Sequence, residues 1–167
     1  MQAPLCEVCL KSEILCHACQ DDLEKGKTSQ IEIDTARFLY KLSENMKSLK
    51  DIKLLKIIDC GILLIICGRG DAAKIVGKSG SVVKRIAKEF KKSIRVLEEA
   101  PSFKDFIEDL ISPTPVNGIN TLYKGNEEIY RIRVPSLQKN HLLITPENFS
   151  QIIFNFYNRK AELVFEN

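Results

Sequence analysis

The sequence predicts an α+β protein: a small metal-dependent module, then two lobes that repeat one order of helices and strands. Three observations carry that reading. Four cysteines form two Cys-x-x-Cys pairs near the start of the chain. Helix-period and strand-like runs alternate twice, on either side of Pro101. Between two of the helical runs lies Gly77-Lys78-Ser79-Gly80, inside a strongly basic segment.

The pairs Cys6-x-x-Cys9 and Cys16-x-x-Cys19 stand six residues apart. Each can form a tight knuckle offering two thiolates, and two knuckles can enclose a tetrahedral zinc ion. Residues 1–27 are too poor in apolar side chains to order by burial alone, so metal binding would supply the folding energy. An iron–sulfur cluster or a redox dithiol pair would use the same spacing. His17, inside the second knuckle, reads as an exposed imidazole beside the site. Cys60 and Cys67 flank or lie within an apolar stretch and read as core residues.

Residues 21–27 are polar and contain Gly26, which predicts a connector. Ser29-x-x-Glu32 then has the form of a capping box. Ile31, Thr35, Phe38, Leu42, Met46 and Leu49 recur at helical steps and predict one buried stripe. Residues 51–58 and 62–67 predict a hairpin turning at Asp59-Cys60-Gly61, with the second, wholly apolar strand at the sheet centre. A short helix over 71–76, the GKSG loop, a helix over 81–92 and a strand over 93–97 complete the lobe at 30–99. Val82, Ile86 and Phe90 should face the sheet, and Lys84, Lys88, Lys91 and Lys92 another side.

The second lobe, 101–167, repeats the order. A helix over 102–111 ends before Pro113 and Pro115. Strands at 117–123 and 128–134 turn through Lys124-Gly125-Asn126. A short helix and loop, a longer helix over 147–158 and a strand over 161–165 follow. In the longer helix Phe149, Ile153 and Phe156 form a stripe, while Phe154 and Tyr157 project elsewhere, either for packing or as a partner surface.

Charge is distributed unevenly. The chain carries a net charge of +3, yet the stretch 68–95 alone holds nine Lys or Arg against Asp71 and Glu89. That concentration beside a glycine-bounded loop points to a polyanion. No apolar run is long enough to span a bilayer, and residues 1–5 lead directly into the cysteines without a secretory leader. A soluble protein of the reducing cytoplasm is the expectation, and there the thiols stay free of disulfides.

The order helix, strand, strand, helix, GKSG, helix, strand resembles the type II KH domain. The match continues through Phe103-x-x-Phe106-Ile107-x-x-Leu110-Ile111-Ser112-Pro113 into the second lobe, and covers about residues 30–167. The chain is thus similar to the tandem KH pair of the NusA transcription-factor family and its short archaeal members, with a cysteine module added in front. Where a second GXXG would fall it reads Leu143-Ile144-Thr145-Pro146-Glu147-Asn148. No glycine is present, Pro146 removes an amide, and Glu147 repels phosphate, so the second lobe reads as degenerate.

The resemblance implies single-stranded RNA as ligand, with about four nucleotides held across a groove beside the loop. Gly77 and Gly80 would admit the backbone, while Lys78 and Ser79 would supply a cation and a hydroxyl. Ile75, Val76 and Val83 would lie under the bases, and Arg69, Lys74, Lys84 and Arg85 would meet flanking phosphates. It also implies a role in transcription elongation or termination, with RNA polymerase as partner. A ribosomal or RNA-processing factor and a zinc-module adaptor are the alternatives. No activated nucleophile, open metal position or acid–base pair is evident in the sequence, and His141 stands without a constellation. A non-enzymatic protein is therefore expected.

Overall fold

The computed structural model describes all 167 residues as two compact units, Met1–Glu99 and Ala100–Asn167. The architecture is α+β, with seven α-helices and two three-stranded sheets.

In the first unit each cysteine pair opens a short helix: α1 (Glu7–Lys11) follows Cys6 and α2 (His17–Glu24) follows Cys16. Both leading cysteines are extended and stand at the N-cap. Part of the expected connector at 21–27 is helical, because Asp21 to Glu24 complete α2. Gln20 bonds Glu24 at 3.0 Å and Lys25 bonds Asp21 at 3.0 Å, giving the polar helix lateral support that composition conceals. The chain then turns at Gly26, whose φ of 69° suits glycine.

Helix α3 (Gln30–Asn45) starts as the Ser29 signal predicts, with Ser29 Oγ accepting the Glu32 amide at 3.3 Å. The reciprocal half of the capping box is replaced by a longer-range contact. Glu32 turns inward, fully buried, and accepts the Ile57 amide at 2.9 Å and the Lys56 ammonium at 3.1 Å. The buried stripe is Glu32, Ile33, Thr35, Ala36, Leu39 and Ser43, so of the expected set within the helix only Thr35 is fully buried. Three stripe members are polar and satisfied locally or across the chain. Thr35 donates to the Ile31 carbonyl and Ser43 to the Tyr40 carbonyl, both at 2.6 Å.

Strands β1 (Leu54–Asp59) and β2 (Leu63–Cys67) form the antiparallel hairpin, and β3 (Ile94–Glu98) adds parallel to β2. The sheet order β1-β2-β3 puts the wholly buried β2 at the centre, as its unbroken apolar run predicts. The outer edge of β1 is covered twice. Glu32 takes the Ile57 amide, while Gln2 pairs with Lys53 in a one-residue parallel bridge.

Helices α4 (Ala72–Val76) and α5 (Ser81–Phe90) contribute Ile75, Val82 and Ile86 to the core, with Phe90 half-buried against Phe38. Helix α5 ends two residues before the expected 92, where Lys91 adopts a left-handed φ of 52°. The same core takes in Leu5, Cys9, Leu10 and Cys19. The segment 1–27, read as a module of its own, therefore shares one core with the lobe at 30–99.

The second unit repeats the topology. Helix α6 (Phe103–Ile111) precedes the antiparallel pair β4 (Gly118–Lys124) and β5 (Glu127–Pro135), with Gly125-Asn126 as a two-residue turn. A 3-10 segment at Ser136–His141, helix α7 (Pro146–Tyr157) and strand β6 (Lys160–Glu166) follow. β6 pairs parallel with β5, and the order β4-β5-β6 mirrors the first sheet. No helix is long and apolar enough to cross a membrane.

Candidate functional site

The four cysteine sulfurs converge. Sγ atoms of Cys6, Cys9, Cys16 and Cys19 all lie within 4.8 Å of one another, and no disulfide joins them. Four sulfurs about 2.3 Å from a tetrahedral zinc stand about 3.8 Å apart. The Cys6–Cys16 separation is 3.9 Å. The donor set therefore fits a single metal ion with a closed shell of soft ligands. His17 is exposed and stands outside the set.

The surroundings bias the thiols differently. The Cys16 thiol is lowered to about 7, chiefly because the Cys19 backbone amide donates to it at the start of α2. Burial pushes the Cys9 thiol up to about 12, even though the Cys16 amide donates to its sulfur at 3.1 Å. A dication held there would offset that burial cost and couple thiolate formation to the folding of this segment. Arg37 on α3 donates to the Cys9 carbonyl at 2.9 Å and ties the cluster to the rest of the unit.

The loop between α4 and α5 owes its shape to left-handed backbone. Gly77 has φ 74° and ψ 168°, Ser79 φ 54° and ψ 30°, and Gly80 φ 75° and ψ 19°. Its two glycines answer different demands. A Cβ on Gly77 would stand 2.6 Å from Val82 Cγ2, in space the core already uses. A Cβ on Gly80 would meet nothing closer than 3.6 Å, so Gly80 is the glycine whose bare side is open. Helix α5 has no side-chain cap at Gly80, and at its start the Gly80 and Ser81 amides donate to the Gly77 and Lys78 carbonyls of the turn. Lys78 and Ser79 are exposed, and Lys84 donates to the Ser79 carbonyl at 3.2 Å, bringing a second ammonium to the loop.

The flanking residues divide. Val76, 37% exposed, and the half-buried Val83 remain on the surface beside the loop. Ile75 does not: it is 0% exposed and belongs to the core, so it cannot lie under a base. The reason is the short α4, whose one fully buried side chain is Ile75, with Ala72 packing beside it against the core. Lys74 is engaged by Asp71 at 2.7 Å, which keeps its ammonium above the ordinary lysine range. Burial alone would raise the Asp71 carboxyl, but hydrogen bonds from Lys74 and the Lys53 amide bring it below the usual carboxylate range. Arg69 donates to the Glu99 carbonyl at 3.3 Å, and Lys92 pairs with Asp59 at 2.8 Å. Lys84 and Arg85 are exposed, as are Lys88 and Lys91 further along.

The corresponding place in the second unit is built differently. Thr145 caps α7 by accepting the Asn148 amide at 3.2 Å, Pro146 occupies the first helical position, and Glu147 lies in the first turn. Tyr157 packs within its own unit, 5.1 Å from both Phe103 and Phe106, while Arg159 lies 5.0 Å over Phe103. Phe156 is half-buried and stacks on Phe106 at 5.3 Å, while Ile152 takes the third core position of α7. Phe154 is 51% exposed.

No family model matches the chain, and no curated protein does. Among solved structures, the crystal structure of APE1850 is similar, with a TM-score of 0.59 and 14% sequence identity, covering 78% of this chain and 96% of that one. At that identity the likeness concerns the fold.

Proposed function

We propose that the protein is a non-enzymatic, NusA-like RNA-binding protein of two type II KH-like lobes, which clamps single-stranded RNA at Gly77-Lys78-Ser79-Gly80. The observation that carries this is the left-handed, glycine-bounded turn opening an uncapped helix among exposed cations. Phosphate would meet the open side of Gly80, the first amides of α5, Lys78 and the Ser79 hydroxyl. Val76 and Val83 would support bases, and Lys84 and Arg85 would hold neighbouring phosphates. The degenerate first turn of α7 would take no part.

The four cysteines would hold a structural zinc ion, which supplies charge compensation and folding energy. Metal analysis of purified protein should then give about one zinc per chain. Iron with a visible charge-transfer band would overturn that assignment.

The test of the clamp is the double variant Lys78→Asp/Ser79→Asp, titrated with a short single strand. Loss of affinity with an unchanged melting curve is the expected result; unchanged affinity overturns the clamp. The resemblance to the NusA family further suggests transcription elongation or termination. Recovery of the tagged protein with RNA polymerase would support that role, and co-sedimentation with ribosomal particles would replace it with a ribosomal one.

A further inference from the structure

The clamp accounts for only part of the basic surface. Along α5, Ser81, Lys84 and Lys88 recur every three or four residues, on the side opposite the buried Val82 and Ile86, and Lys91 follows at the C-cap in left-handed backbone. At 1.5 Å per residue the helical pair Lys84 and Lys88 spans about 6 Å, and Lys91 extends the basic surface beyond the helix end. All three lysines are exposed. The single acid of the helix, Glu89, lies off the row, in a depression it shares with Asp34, Arg37, Phe38 and Lys41. Lys92 is drawn away by Asp59.

The chemistry of this row differs from that of the loop flank. Val76 and Val83 offer apolar surface to bases, whereas the row offers ammonium groups without an aromatic ring or an amide side chain. Phe90, the helix's one aromatic, is half-buried and meets Phe38 edge-on at 5.8 Å. Unpaired bases need stacking partners, which the row lacks. A duplex keeps its bases stacked internally and presents phosphates and 2′-hydroxyls. A rigid line of lysines suits that surface. We propose that the outward face of α5 holds the phosphate backbone of an RNA stem adjoining the single-stranded segment at the GKSG loop. The substrate class is thus a stem with a short single-stranded flank; this rests on the RNA-binding reading above.

The experiment titrates the full chain with two RNAs over a range of salt concentrations. One is a single strand of roughly eight nucleotides, long enough to fill the clamp. The other is the same strand joined to a hairpin stem. The stem probe should bind about 10-fold more tightly, with a salt slope steeper by about two, as two or three extra phosphates are neutralised. The variant Lys88→Gln/Lys91→Gln leaves the loop intact and should abolish that advantage while keeping single-strand affinity within about twofold. Lys78→Asp/Ser79→Asp should weaken both probes. If both probes depend on Lys78 and Ser79 but bind alike, the stem assignment fails and the clamp stands. If the advantage survives in the Lys88/Lys91 variant, the row is not its source and the proposal fails. If neither probe responds to Lys78 and Ser79, the clamp fails too.

Discussion

Helices α5 and α7 stand at equivalent places in two units of the same topology, yet their first turns are opposites. Helix α5 begins with a glycine in left-handed backbone, no cap and a lysine-rich face. Helix α7 begins with a threonine cap, a proline and a glutamate. The first arrangement puts no side chain over the helix start, and the second caps it with one side chain and removes an amide with Pro146. The surrounding charge follows the same division, since the second unit holds seven Lys or Arg against eight Asp or Glu. One backbone plan thus supports either an uncapped, glycine-bounded helix start or a capped one. The choice rests on a few residues at the turn.

The units differ also in their cysteine content, and removal of the proposed metal should expose that most strongly. Chelation, or Cys9→Ser, should destabilise the first unit by several kcal/mol, on the order of 5 or more, because Cys9 and Cys19 belong to its core. Hydrogen exchange should then show lost protection in α1 to α3 while β5 and α7 stay protected. Uniform loss across both units would break the contrast.

Charge reversal at the loop comes next. Lys78→Asp/Ser79→Asp should reduce single-strand affinity by about 30- to 100-fold, equivalent to about 2–3 kcal/mol. Thr145→Asp, an acid at the corresponding turn that keeps a capping side chain, should leave affinity unchanged. A comparable loss in both variants would mean that both units bind.

The two loop glycines separate by stability. Gly77→Ala meets both a glycine-only dihedral and the Val82 side chain, and should cost about 2–4 kcal/mol in a urea titration. Gly80→Ala meets only the dihedral and should cost about 1 kcal/mol. Its effect on RNA affinity should be the larger of the two, relative to its effect on folding.

Acid titration tests the anchor beneath α4. The Asp71 carboxyl is lowered in the folded state, so its contribution is full above the unfolded value of about 3.9 and fades as pH falls through the folded value. Asp71→Asn should cost about 1–2 kcal/mol at pH 7 and progressively less in acid. A constant difference from pH 7 to pH 2 would exclude the ion pair as its source. The smallest effect is Thr145→Ala, which should cost about 1 kcal/mol through the lost cap of α7 and leave RNA binding untouched.

Much of this was legible residue by residue. The paired cysteines, the Ser29 cap, the apolar β2 and the glycine-bounded turn all express themselves within a few neighbouring positions. The stripe of α3 was misread because half of its members are polar, and periodicity counts apolar residues. Ile75 was misassigned because nothing local distinguishes an apolar contact with the core from one with a ligand, and the pairing of Lys74 with Asp71 was likewise not visible locally.

Residue order alone carried the four cysteines at metal-ligand spacing, the glycine-bounded turn, the concentration of charge and the repeated order of elements. Each depends on spacing along the chain or on glycine's freedom at one residue. Tertiary structure alone decided which side chains remain available. Glu32 closes the edge of β1 across twenty-five residues, the Lys53 amide helps hold Asp71 across eighteen, and Cys9 enters a core with Leu39 and Ile65. Those outcomes depend on which surfaces meet when the layers pack. That competition for hydrogen bonds and buried volume is settled between residues far apart in the chain.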